Sequence, residues 1–193
     1  KIQRFMKDGS WIRKMFEEAN ILKEQYGAEN VFDLSLGNPI VEPPKEFFLE
    51  LQHIIENPPP GMHRYMPNAG YTETRAAIAT QLTKETGVDF GSKEILMTCG
   101  AGGALNVILK TLLDPGEEVV IFAPYFVEYM FYVDNHGGYC RVVPPIDNFY
   151  PDLLAFEQTI NKNTKIVLIN SPNNPSGVVY SSEVLASLGE IIR

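Results

Sequence analysis

Three short runs in this chain combine residue types that could hold a ligand, and each follows an apolar segment. Gly100-Ala101-Gly102-Gly103 stands between Glu94–Cys99 and a helical pattern from Ala104 to Leu113. Glycines between a strand and a helix let backbone N–H groups approach an anion at the positive end of the helix dipole, and a phosphate suits such a cup. The run also fits a tight turn with no ligand. It matches neither common nucleotide motif: a GxGxxG fingerprint needs glycine where Leu105 stands, and no GK[ST] follows for a P-loop. Ala123-Pro124-Tyr125-Phe126 sets an aromatic pair at the tip of a second apolar run. Aromatics there are commonly core, but beside a phosphate cup one ring could stack on a planar group. In Asn170-Ser171-Pro172-Asn173-Asn174-Pro175-Ser176-Gly177, two prolines around two asparagines either build a turn or hold amides rigidly for hydrogen bonding. Cup, flat platform and fixed amide together describe a phosphorylated aromatic cofactor.

Other chemistries find no support. His53, His63 and His136 show no ligand spacing, so no metal is expected. There is no G-x-S-x-G elbow. Cys99 precedes the glycine run without a histidine placed to activate it and reads as a small buried residue. Cys99 and Cys140 are too far apart for a CxxC motif, and a reducing, cytoplasmic setting is expected. The 193 residues carry 16 Lys+Arg against 24 Asp+Glu, a net charge of −8, which argues against non-specific nucleic-acid binding. No apolar run approaches the roughly 18 residues of a membrane span, and no signal peptide is visible.

The elements that must position these runs are legible from hydrophobic period. Helical patterns cover Ser10–Tyr26, Lys45–Glu56, Tyr71–Thr86, Ala104–Leu113, Tyr125–Asn135, Leu153–Ile160 and a last stretch after Ser181 or Ser182 as N-cap. Strand patterns cover Val31–Leu36, Glu94–Cys99, Glu118–Phe122, Tyr139–Val143 and Lys165–Asn170. Apolar strands alternating with helices predict βαβ units and a mainly parallel sheet, an α/β protein. In such sheets ligands bind beyond the carboxyl ends of the strands, where all three runs fall. The final helical pattern reaches Arg193 without a C-cap glycine or proline, so the chain is expected to stop inside a helix, as a piece of something longer.

Six segments, in order and across nearly the whole chain, resemble the N-terminal half of a fold-type I, pyridoxal-phosphate-dependent aminotransferase of class I/II, the aspartate aminotransferase-like family. They are Leu34–Pro39, Tyr65–Gly70, Thr98–Leu105, Leu113–Val119, Ala123–Phe126 and Asn170–Gly177. The resemblance implies a three-layer fold, a mainly parallel sheet flanked by helices, incomplete at its C-terminal end. Residues 1–45 would contribute to the small domain, and 46–193 would form the first half of the cofactor-binding large domain. The cofactor would be pyridoxal 5'-phosphate. Ala101 and Gly102 would give backbone N–H groups to its phosphate, Phe126 would stack on the pyridine ring, and Asn174 would bond the phenolic oxygen. Gly37 would lie near the substrate carboxylate. Tyr65 would reach the phosphate of the other subunit in a homodimer. The implied reaction moves an amino group between an amino acid and a 2-oxo acid.

Two departures accompany the resemblance. The cup has no Ser, Thr or Lys side chain, where many members place a polar group. None of the ten lysines stands in the family's Schiff-base context, so that lysine is expected beyond Arg193 and the 193 residues alone are expected to be inactive. A carbon-sulfur β-lyase on the same scaffold is an alternative reading, as is a non-catalytic truncated or regulatory domain.

Overall fold

In the computed structural model the described residues are 15, 17–34, 37, 39 and 41–193. The start of the helix expected from Ser10 and the end of the strand expected at Leu36 lie outside them. The chain forms two compact units, Lys1–Tyr65 and Met66–Arg193.

In the first unit, residues 17–26 are helical (α1), and Val31–Leu34, expected as a strand, is not assigned to one. Lys23 Nζ donates to Asp33 Oδ2 at 2.7 Å, which ties the helix to that segment. Helix α2, Lys45–Glu56, has the bounds its apolar spacing predicts, yet none of its residues is buried.

The second unit holds the sheet. Strands β1 (Glu118–Phe122), β2 (Tyr139–Val143) and β3 (Thr164–Leu168) stand in the order β2-β1-β3, both pairings parallel. All five residues of β1 are buried, as the central strand of a covered parallel sheet requires. Its side chains alternate between two cores. Val119 and Ile121 pack with Leu109 and Leu113, at the end of α4 (Gly100–Leu112), and with Val133 of α5 (Glu128–Asn135). Val120 and Phe122 pack with Val143, with Phe156 of α6 (Leu153–Thr159) and with Leu188 of α7 (Ser182–Ile192). Helices α4 and α5 therefore cover one face and α6 and α7 the other, the three-layer α/β arrangement expected. Full burial of Phe156, Leu109, Ile121 and Leu188 contributes about 1.5–3 kcal/mol each, before entropy.

Helix caps follow the sequence where a side chain can reach. Ser181 caps α7 by accepting from Val184 N–H at 3.4 Å, and Asp152 caps α6 by accepting from Ala155 N–H at 2.9 Å. Gly87 closes α3 (Thr72–Thr86) at φ +73°, the left-handed conformation glycine adopts freely.

Besides the segment from Val31, other local readings differ, α5 starting at Glu128 rather than Tyr125 among them. Ile95–Thr98 is not a strand: its backbone bonds are local ones, Ile95 N–H to Ser92 C=O and Gly100 N–H to Thr98 C=O, and one from Met97 N–H to Ala69 C=O at 3.0 Å, while Arg75 Nε donates to Ile95 C=O at 2.8 Å. An extended run becomes a ladder strand only beside a neighbour, and among the described residues none stands there. Helix α4 begins at Gly100, four residues before Ala104, so the glycine run is the first turn of the helix rather than a loop ahead of it.

Candidate functional site

The α4 helix of 13 residues is about 20 Å long and the five-residue β1 about 16 Å, and a short turn joins them. The helix therefore runs back along the strand, and its N-terminus lies at the carboxyl edge of the sheet. That places the glycine turn on the same edge as the loops that leave β1 and β3.

The first turn of α4 offers backbone donors. Cys99, at the N-cap, makes no side-chain cap bond, and Thr98 Oγ1 donates to Gly100 C=O at 3.0 Å instead of accepting from the helix N–H groups. The N–H groups of Ala101, Gly102 and Gly103 have no partner one turn earlier in the helix. Gly102 faces α5, where a Cβ on it would stand 3.0 Å from the Tyr132 hydroxyl. Asn106, one turn along α4, donates from Nδ2 to Gly102 C=O at 2.8 Å, and its Oδ1 meets His136 Nε2 at 3.1 Å. With the Asn106 NH2 on a carbonyl, its oxygen faces the ring, so His136 Nε2–H is the donor. These contacts pin the glycine turn to α5.

Beyond β1 the chain turns through Ala123-Pro124 into Tyr125 and Phe126. Phe126 is half-buried and meets Tyr129 edge-on, ring centroids 5.7 Å apart. Beyond β3, Asn173 is buried and donates from Nδ2 both to Pro124 C=O at 2.9 Å and to Ser176 Oγ at 2.8 Å. That amide locks the loop after β3 to the loop after β1. Asn170 Oδ1 accepts from Asn174 N–H at 2.8 Å, which holds the Asn174 backbone while its side chain stays on an exposed residue. A narrow pocket opens between the two loops, lined in part by Tyr125, Tyr129, Asn170 and Asn173. Burial raises Tyr125 above the usual phenol value, helped by Cys140, and raises Tyr129, helped by Tyr132, so both remain hydrogen-bond donors at neutral pH. At α5's first residue, Glu128 Oε2 is buried with no hydrogen-bond partner among the described residues.

The residues singled out in the sequence divide between the two units. Ala101, Gly102, Phe126 and Asn174 stand in the second unit, on segments that converge at the carboxyl edge of the sheet. Gly37 and Tyr65 belong to the first unit; nothing stands within 4 Å of a Cβ built on Gly37, and Tyr65 is fully exposed. Cys99, expected buried, is exposed, because it sits at the open end of α4 rather than in a strand. The sequence reading missed Asn106, Tyr132 and His136, whose contacts cross between helices, and it did not separate inward-turned Asn173 from exposed Asn174.

Residues 29–193 match the family Aminotransferase class I and II. The chain belongs to that family. An aspartate aminotransferase of Thermotoga maritima is 36% identical over 167 residues, 86% of this chain and 44% of the relative. Among solved structures, an amino transferase from Eubacterium rectale superposes with a TM-score of 0.91 at 35% identity, over 99% of this chain and 49% of that one. The aspartate aminotransferase of Thermus thermophilus with maleate gives 0.80 at 31% identity, over 93% and 46%. The chain thus spans about half the length of the aminotransferases it matches. The family's cofactor is pyridoxal phosphate. The uncapped glycine turn fits that group's phosphate: it leaves backbone donors open, and it carries no side chain beyond the Ala101 methyl to stand between them and an anion.

Proposed function

We propose that this chain is the cofactor-binding part of a pyridoxal-phosphate-dependent aminotransferase that moves an amino group between an amino acid and a 2-oxo acid. The observation that carries the reading is the convergence, at one sheet edge, of an uncapped glycine helix start with two strand-end loops bonded together through Asn173. Ala101 and Gly102 give N–H groups to the phosphate. Phe126 presents its ring to the pyridine face, and the exposed Asn174 amide bonds the phenolic oxygen. When bound, the cofactor draws electrons from the amino acid's α-carbon and carries the amino group between substrates. Asn173 keeps the two loops from separating, and Tyr125 and Tyr129 wall the pocket as protonated phenols.

The remaining roles fall on the first unit and on residues not in this chain. Gly37 lies by the substrate carboxylate, and Tyr65 reaches the phosphate held by a second copy, so the working enzyme is a homodimer; the setting proposed for it is the cytoplasm, on the two free cysteines alone. Lys110 is in the last turn of α4, while Lys162 and Lys165 stand at the start of β3, all at the sheet end opposite the cup. The lysine that anchors the cofactor is accordingly not among these three, and the 193 residues alone are inactive. Incubating the intact protein with pyridoxal phosphate, amino acids and 2-oxoglutarate should give amino transfer above the cofactor-only background. Absence of transfer from every proteinogenic amino acid would overturn the activity. Transfer by the 193-residue chain alone would overturn the assignment of a partial site.

A further inference from the structure

We propose that the Tyr132 hydroxyl is a phosphate ligand of the α4 cup and takes the place of the polar side chain that position 102 lacks. This rests on the reading of residues 100–103 as the phosphate site. Three observations support it. First, the cup contains no hydroxyl or ammonium of its own, since its four residues are glycine and alanine and the nearby Thr98 hydroxyl is spent on Gly100 C=O. Backbone donors alone leave some acceptor positions of a phosphate unmatched.

Second, the vacant volume at position 102 is filled from another helix. A Cβ on Gly102 would lie 3.0 Å from Tyr132 Oη and 3.7 Å from the ring carbon that bears it, so the phenol oxygen stands close to where a serine or threonine hydroxyl would project. Glycine at 102 and tyrosine at 132 are thus complementary. A side chain at 102 would collide with the phenol, and without the phenol the position would offer no side-chain donor. Among the described residues the hydroxyl has no recorded hydrogen bond, which leaves its proton for a ligand.

Third, Tyr132 is held in place. His136, four residues further on at the C-cap of α5, bonds through Asn106 the very residue that Tyr132 overhangs: Asn106 Nδ2 reaches Gly102 C=O at 2.8 Å, and His136 Nε2 reaches Asn106 Oδ1 at 3.1 Å. The end of α5 that follows the phenol is therefore tied to the first turn of α4.

The test compares binding of pyridoxal phosphate and of pyridoxal, which lacks the phosphate, to the intact protein by absorbance titration. Tyr132→Phe should weaken pyridoxal phosphate roughly tenfold, the size of one lost bond to a charged group, and leave pyridoxal unchanged. Gly102→Ser alone should also weaken the phosphorylated form, because its Cβ meets the phenol. The double variant Tyr132→Phe with Gly102→Ser should recover most of the affinity, since the serine then has both room and a hydroxyl. Unchanged affinity in Tyr132→Phe, or an equal loss for both ligands, would overturn the assignment of Tyr132. If the wild-type protein binds pyridoxal as tightly as pyridoxal phosphate, it is the phosphate reading of residues 100–103 that fails, and this proposal with it.

Discussion

Glu118 opens β1 with a side chain only 10% exposed, and both of its oxygens are engaged: Arg141 Nε donates to Oε1 at 3.0 Å and Asn161 Nδ2 to Oε2 at 2.7 Å. The Asn161 bond first, and then the Arg141 bond and charge, hold its carboxyl below the usual carboxylate range. A carboxylate with a lowered folded pKa contributes stability that is complete above its unfolded value and disappears as pH falls through the folded one. Glu118→Gln should therefore cost about 1–2 kcal/mol at pH 7, kept modest by the exposure of Arg141, and the gap from wild type should close as denaturation curves are repeated at acid pH. A gap that stays constant with pH would contradict this origin. Cys140 behaves oppositely. Burial, with Asp134 nearby, pushes its thiol up to about 11. Its alkylation rate should keep rising well past pH 9, and the neutral thiol's share of stability should be lost as pH climbs from the unfolded thiol value towards 11. A rate plateau near pH 9 would count against it. Neither residue was legible in the sequence. The partners of Glu118 lie 23 and 43 positions away, and an end-of-strand glutamate has no mark of being bonded twice.

The secondary elements read best where burial leaves a strong pattern. Glu118–Phe122 and Tyr139–Val143 are strands with the expected bounds; the first, an apolar run between turn residues, is the parallel strand covered on both faces, while the second is an edge strand of the described sheet with only Val143 buried. Glu94–Cys99 carries a similar pattern but depends on a neighbour the pattern cannot supply. The start of α4 was misjudged because glycine is a poor helix former, and position in the fold outweighs propensity there. Element packing supplies two further expectations. Gly138, buried just before β2, has no room for a Cβ: a methyl would press on Leu113 and Val133. Gly138→Ala should cost about 1–3 kcal/mol by overpacking, measured by urea unfolding, and a neutral result would show that α4 and α5 yield easily. Asn173→Ala removes the bonds to Pro124 and Ser176 together and leaves the carbonyl of half-buried Pro124 without that donor. A loss of about 1–3 kcal/mol is expected, with weaker binding of pyridoxal phosphate. Full retention of both would mean that the two strand-end loops do not need each other. The rigidity of this loop was visible in its prolines, but which asparagine turns inward depends on Pro124, 49 residues earlier.

At the scale of the molecule, the three-layer core was legible because alternation along β1 assigns its residues to two faces. What covers the rest was not. Phe47, Phe48, Leu51 and Ile55 form an apolar stripe on α2, and all are exposed. Among the described residues strand β3 is an edge of the sheet, and its outer backbone groups stand beside half-buried Ile166, Val167 and Leu168. The 193-residue chain on its own should therefore bind a hydrophobic dye and self-associate, and Phe48→Glu with Ile55→Glu should reduce both in light scattering. A monodisperse, dye-silent chain would show that these faces need no cover. The helix that begins with glycines carries a different consequence. Three glycines in four positions give the first turn of α4 more conformational freedom to lose than any other turn in the unit, and no side-chain cap offsets it. Order at that turn is then coupled to occupancy. An anion seated there binds the ordered form alone, so global stability rises with its free concentration, by about 2.7 kcal/mol at a hundredfold excess over Kd. Amide hydrogen exchange at residues 101–104 would act as a gauge of how much phosphate is bound, slowing with each increment, and the amides of β1, which exchange only when the whole unit opens, would slow by the accompanying rise in global stability.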